Sequence, residues 1–162
     1  MVKMKPVLTL VVAIVVILFY SCKKDKYTSA PQIKFNSIKP NVVAGGLGSS
    51  AEPILSIQLT DAEGDFGFSD KDTSYVYVKN ITIPPFDIDS FPFPAATQIK
   101  RKDLNAEISV NLADGAGLIV GTPSPPTRPY TDTLYFEVYV RDFANHKSNV
   151  IKTKNPLYLI TE

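Results

Sequence analysis

The chain has 162 residues, 44% of them hydrophobic, and a formal net charge of +1, which suits one domain with an appendage at the usual ~100–200 residues per domain. Those averages describe neither part: the first 22 positions hold 17 hydrophobic residues, and beyond Cys22 the count is 15 basic against 16 acidic, which argues against a nucleic-acid-binding protein. One Cys, one His and no Trp exclude disulfides within the chain, Cys/His zinc sites and Cys–His proteases.

Lys3 and Lys5 form a positive start, and residues 6–21 are an uncharged run of 16. As a helix that run would span ~24 Å, short of the ~30 Å hydrocarbon core, so it suits the apolar region of a signal peptide better than a membrane span. It ends in Phe19-Tyr20-Ser21-Cys22, followed by Lys23-Lys24-Asp25-Lys26. This segment resembles the lipobox of bacterial lipoproteins, in the looser form of Bacteroidetes-type members, with Phe19 and Tyr20 bulkier than is usual. The resemblance implies a leader cut after Ser21, a lipidated Cys22 and an acylated new amine. Acyl chains contributing ~0.8 kcal/mol per buried CH₂ would then hold the protein to a membrane. An uncleaved anchor or a plain secretory signal is the alternative. Lys-Lys-Asp after the Cys also resembles short signals that send such lipoproteins to the cell surface, although a solvated linker reads the same way. The expected location is the outer membrane, facing the periplasm or the cell surface. Residues 1–21 are thus expected to be a signal peptide, 22–31 a charged tether and 32–162 the folded domain.

From residue 32 the apolar pattern has period two. Ile33 and Phe35 begin it, and Pro40 ends the run. Leu55, Ile57 and Leu59 alternate with polar residues up to Asp61. Val76 and Val78 alternate with Tyr75, Tyr77 and Lys79, and Ile108, Val110 and Leu112 follow the same rule. The longest case interleaves Leu134, Phe136, Val138 and Val140 with Tyr135, Glu137, Tyr139 and Arg141, and residues 149–153 and 157–161 read as a last strand bent at Pro156. Such alternation predicts antiparallel strands with one buried face. Eight prolines fall in residues 84–94 and 123–129, which excludes central strands and helix interiors there. Residues 95–105 are the only helical candidate. Six or seven short strands predict an all-β fold, a single antiparallel β-sandwich of immunoglobulin-like type with about seven strands, with a barrel as runner-up.

Two stretches, Asp61-Ala62-Glu63-Gly64-Asp65-Phe66-Gly67-Phe68 and Arg141-Asp142-Phe143-Ala144-Asn145-His146-Lys147-Ser148-Asn149, resemble segments of small Bacteroidetes-type lipoproteins with immunoglobulin-like domains. The second is also similar to bacterial cadherin-like repeats. The resemblance implies a sandwich and no particular activity.

Asp61, Glu63, Asp65, Asp70 and Asp72 crowd one loop with Lys71 as the only cation. Acids at alternate positions can turn oxygens toward a hard cation, and Ca²⁺ takes ~6–8 oxygens. Phe66 stands where an EF-hand loop requires Gly and strands flank it, so this is not an EF-hand. In an immunoglobulin-like sandwich, however, the second-to-third-strand loop and the final hairpin share one end, which would add Asp142 and Asn145 to a candidate Ca²⁺ site. A solvated loop with self-capping acids is the plain alternative. Tyr75, Tyr77, Tyr135 and Tyr139 are expected on one outer face, either as a sugar-stacking platform or as cross-strand pairs that only stabilise the sheet.

Catalysis finds little footing. His146 lies in a turn without a nucleophile motif, and Asp87 and Asp89 are set in a Pro/Phe-rich loop better suited to covering a sheet edge or meeting a partner. The expectation is a non-enzymatic, lipid-anchored outer-membrane module with a binding or assembly role, held to the membrane through Cys22 and meeting another envelope protein. A glycan-binding accessory lipoprotein of a polysaccharide-uptake system is the alternative.

Overall fold

Wherever polar and apolar residues alternate strictly, one set of side chains must leave water, and here those sets meet between two sheets. The structure, a computed structural model, describes residues 27–45, 52–67, 73–93, 99–100 and 102–162. The N-terminal apolar run with Cys22 and the acids Asp70 and Asp72 lie outside these residues.

In chain order the strands are β1 (Gln32–Lys39), β2 (Val42–Gly45), β3 (Ile54–Asp61), β4 (Asp65–Phe66), β5 (Tyr75–Asn80), β6 (Ile88–Pro92), β7 (Ile99–Lys100), β8 (Leu104–Asn111), β9 (Tyr130–Leu134), β10 (Phe136–Arg141), β11 (Ile151–Lys152) and β12 (Leu157–Thr161). One layer has the order β1-β3-β8, antiparallel throughout. The other runs β6-β5-β10-β11 and continues as β9-β12-β2, with β2 parallel to β12. Its two parts are joined because β9 and β10 are one run broken at Tyr135, and β11 and β12 are one run broken at residues 153–156. Such an arrangement is the strand order of an immunoglobulin-like sandwich carrying an extra edge strand, β6. The all-β sandwich expected from alternation is therefore the fold.

Leu55, Ile57 and Leu59 of β3 are buried together with Val76, Val78, Phe136, Val138 and Val140 of the facing layer. Each such side chain contributes roughly 1.5–3 kcal/mol when removed from water. Among the described residues the only helical piece is a 3-10 turn at Leu112–Asp114, capped by Asn111, and no helix is long and apolar enough to cross a membrane.

Two expectations change. Residues 95–105 are not a helix where they are described, since Ile99–Lys100 pairs with β4 and Leu104 opens β8. Leu104 and Val110 keep the period-two pattern and are buried, so core burial decided against the weak helical spacing. The Pro/Phe-rich stretch does not cover a sheet edge but supplies it. Residues 88–92 pair with β5 as the outermost strand, with Phe91 packed against the core and Ile88 51% exposed. An edge strand tolerates Pro92, which has no N–H to donate.

Candidate functional site

The acid-rich loop leaves the end of β3, and its geometry follows from two glycines and one aromatic. Gly64 and Gly67 take φ of 63° and 140°, values that L side chains resist and that let the chain reverse. Between them Phe66 plunges into the core, 2% exposed and 5.0 Å from the Phe93 ring. The residue that excludes an EF-hand is thus the plug that fixes Asp65 beside it, with β4 pinned by pairing to β7.

Asp61, Asp65 and Asp142 converge. Each offers a carboxylate oxygen, and these three atoms lie within 4.8 Å of one another. Two loops meet to make this cluster, stapled by Phe143 N–H donating to the Asp65 carbonyl at 3.0 Å. Asp61 is fully buried at the end of β3. Its Oδ2 accepts from Gly64 N–H at 2.6 Å, while Oδ1 has no partner. Asp65 Oδ1 is also buried without a partner. Asp142, directly after β10, accepts from His146 N–H at 2.7 Å through Oδ1 and meets His146 Nδ1 at 3.0 Å through Oδ2.

The electrostatics are unfavourable as they stand. Like charges under 5 Å apart repel by on the order of 3 kcal/mol per pair at an effective dielectric of about 20. Among the described residues the only charged-group contact to these acids is that of His146 to Asp142, and the His146 side chain is half exposed. Burial raises the Asp61 carboxyl from 3.8 to about 6; the Gly64 N–H opposes the rise, and the charges of Asp65, Glu63 and Asp142 add to it. Burial, then Asp142, raises Asp65 too. A proton or a cation would relieve both groups. The donors are all oxygen, which selects a hard ion such as Ca²⁺, Mg²⁺ or Mn²⁺. Two buried carboxylate oxygens without hydrogen bonds are what an ion would occupy, so the residues present fit a cation. Donors on loops and hairpin ends favour Ca²⁺, which accepts irregular geometry, over Mg²⁺, which demands an octahedron.

Of the seven acids and amides expected to serve a cation, three meet and two lie outside the described residues, namely Asp70 and Asp72. Glu63 is exposed and acts on Asp61 by its charge alone. Asn145 serves another purpose: at φ 66° it makes the hairpin turn, and its carbonyl and Oδ1 accept from Arg141 at 3.0 and 2.9 Å. Sequence reasoning read Gly64 as a turn residue with acids capping backbone amides, as the Asp61–Gly64 bond has it, and passed over His146 as part of this site. The signal for both was available, since Asp-x-x-Gly marks a carboxylate capping its own turn, and Asp142 precedes His146 by one hairpin turn.

The tyrosines do share an outer face. Tyr77 and Tyr139 are direct cross-strand partners, stacked at 4.6 Å and 9°. Tyr75 leans on Tyr77 at 6.1 Å, Lys147 Nζ lies 4.0 Å from the Tyr139 centroid, and Lys152 Nζ lies 4.8 Å from that of Tyr135. Tyr139 is therefore sandwiched between Tyr77 and Lys147, and its faces are occupied by its own neighbours. The rings stack on each other before they could stack on a sugar.

Comparison with known proteins adds no relative: no family model matches, and neither characterised proteins nor solved structures give a significant match.

Proposed function

We propose that the chain is a lipid-anchored, non-catalytic module of the outer membrane whose loop end binds Ca²⁺ and presents a binding or assembly surface. The observation that carries the reading is the convergence of Asp61, Asp65 and Asp142 with buried, unpartnered oxygens. Ca²⁺ there would tie the β3–β4 loop to the β10–β11 hairpin and stiffen the end that such sandwiches use for recognition. Support for the anchor is the apolar run ending in Ser21-Cys22 and its charged sequel. An assembly role follows from a rigid sandwich on a short tether, with chemistry for holding an ion rather than for turning over a substrate.

Thermal unfolding of the full-length protein with Ca²⁺ or with chelator tests the reading. An ion at 100 times its Kd stabilises by about 2.7 kcal/mol, which for a domain of this size raises Tm by on the order of 10 °C. Asp142→Asn should abolish that gain. A Tm indifferent to millimolar Ca²⁺ and to chelator would remove the cation site from the proposal.

A further inference from the structure

The register of the four-stranded layer places more than tyrosines on its outer face. Tyr75, Tyr77 and Lys79 point outward from β5, and Glu137, Tyr139 and Arg141 point outward from β10, because the residues between them are buried. Lys152 pairs opposite Glu137, and Lys147 bridges to Arg141. This face therefore carries four cations and one acid. The rest of the chain after Cys22 keeps eleven basic against fifteen acidic residues, so a near-neutral protein hides a segregated positive face.

None of the four cations is ion-paired, the His146–Asp142 contact being the only such bridge among the described residues. Glu137 sits in register between Lys79 and Lys152 and makes an ion pair with neither. Lys79 and Lys152 flank one row of the face, and Arg141 and Lys147 make another four residues away along β10, about 13 Å at ~3.3 Å per residue. Tyr77 and Tyr139 fill the single row between, and Tyr75 lies opposite Arg141.

We propose that this face binds an acidic polysaccharide. Charge complementarity selects an anionic partner. The tyrosines favour a carbohydrate over a nucleic acid: Tyr77 and Tyr139 use ring faces on each other, and Lys147 and Lys152 lie over the Tyr139 and Tyr135 rings, which covers much of the open aromatic surface that bases need. Phenolic hydroxyls and lysines remain, and they suit hydroxyls and carboxylates spaced along a sugar chain. The assignment rests on the chain being an exported binding module and is independent of the cation site.

Binding of the full-length protein, in detergent micelles with excess chelator, is measured against polygalacturonate and against its methyl ester, which has the same backbone without charge. Binding to the acid polymer, weakened at least tenfold by 0.5 M salt and absent for the ester, is expected. Lys79→Glu with Lys152→Glu should lower affinity at least tenfold, and the milder Lys→Gln pair should lower it less while keeping the fold. Lys34→Glu with Lys39→Glu, on the other layer, should leave it unchanged. Equal binding of the ester, equal loss in the Lys34/Lys39 variant, or no binding at all overturns the proposal. So does single-stranded DNA binding with the same affinity and the same sensitivity to Lys79 and Lys152. Loss of binding in chelator, restored by Ca²⁺ and removed by Asp142→Asn, would assign the polymer to the loop end instead and leave the Ca²⁺ reading intact.

Discussion

Asp61 is held where its charge is least welcome. It is buried, beside two other carboxylates, with one oxygen capping Gly64 and the other bare. With its carboxyl raised from 3.8 to about 6, the folded state without metal binds more protons than the unfolded state between those values. Stability must then fall as pH rises through about 4 to 6 and level off above, by up to roughly 2–3 kcal/mol at 1.36 kcal/mol per pH unit. Urea unfolding in chelator across pH 4–8 should show that slope, and Ca²⁺ should restore the lost stability at neutral pH. Asp61→Asn keeps an acceptor for Gly64 and deletes the charge, so at pH 7 in chelator it should be more stable than the parent by about 1–2 kcal/mol while losing its response to Ca²⁺. A destabilised Asp61→Asn would show instead that the carboxylate is already satisfied. Alternating acids at 61, 63 and 65 pointed to this loop, but not to which of them would face inward. Gly64 turns the chain between Glu63 and Asp65, leaving the first in water and bringing the second to Asp61, and that reversal depends on a φ of 63° that spacing does not reveal.

At the scale of elements, the last hairpin does most of the joining. Its side chain Asn149 acts as a strand of one residue, Oδ1 accepting from Ile33 N–H at 2.7 Å and Nδ2 donating to the Ile33 carbonyl at 3.0 Å. This clasps β1 of one layer to the hairpin of the other, 116 residues away. Ile33 is 2% exposed, so an orphaned backbone there costs the desolvation of its groups, about 1–3 kcal/mol each. Asn149→Ala should lower stability by about 2–3 kcal/mol, read as a reduced urea midpoint at unchanged slope; a change below about 0.5 kcal/mol would show that β1 needs no clasp. Strand content was visible in the alternation of Leu134 to Val140, whereas the break at Tyr135 was not. That break arises because Thr153 binds Phe136 through both backbone and side chain, and residues 154–156 bulge before Leu157 meets Leu134. Strands too short to show an alternation, β2 with four residues and β4 with two, were illegible for a related reason: they form because a neighbour offers an edge.

For the whole molecule, the chain enters the sandwich at the same end as the acid cluster. The Thr28 carbonyl accepts from Ala62 N–H at 3.2 Å, beside Asp61. Cys22 precedes Tyr27 by five residues, a reach of at most about 18 Å, so a lipid on Cys22 would keep the end that carries the acid cluster near the membrane. Cys22→Ala should release the protein from the membrane fraction or leave it as an uncut precursor, and mass spectrometry would tell which. An unmodified Cys22 in the parent would end the lipoprotein reading.

By itself the sequence determined that the protein is built of strands, where its N-terminal apolar run stops, and that its acids crowd one loop, since all three are properties of neighbours along the chain. Which acids meet, that the tyrosine strip is sealed by its own stacking, and that four unpaired cations share one face were decided by the fold alone. The reason is distance in sequence. Asp61 and Asp142 stand 81 positions apart, and only the closure of two sheets over a common core makes them neighbours.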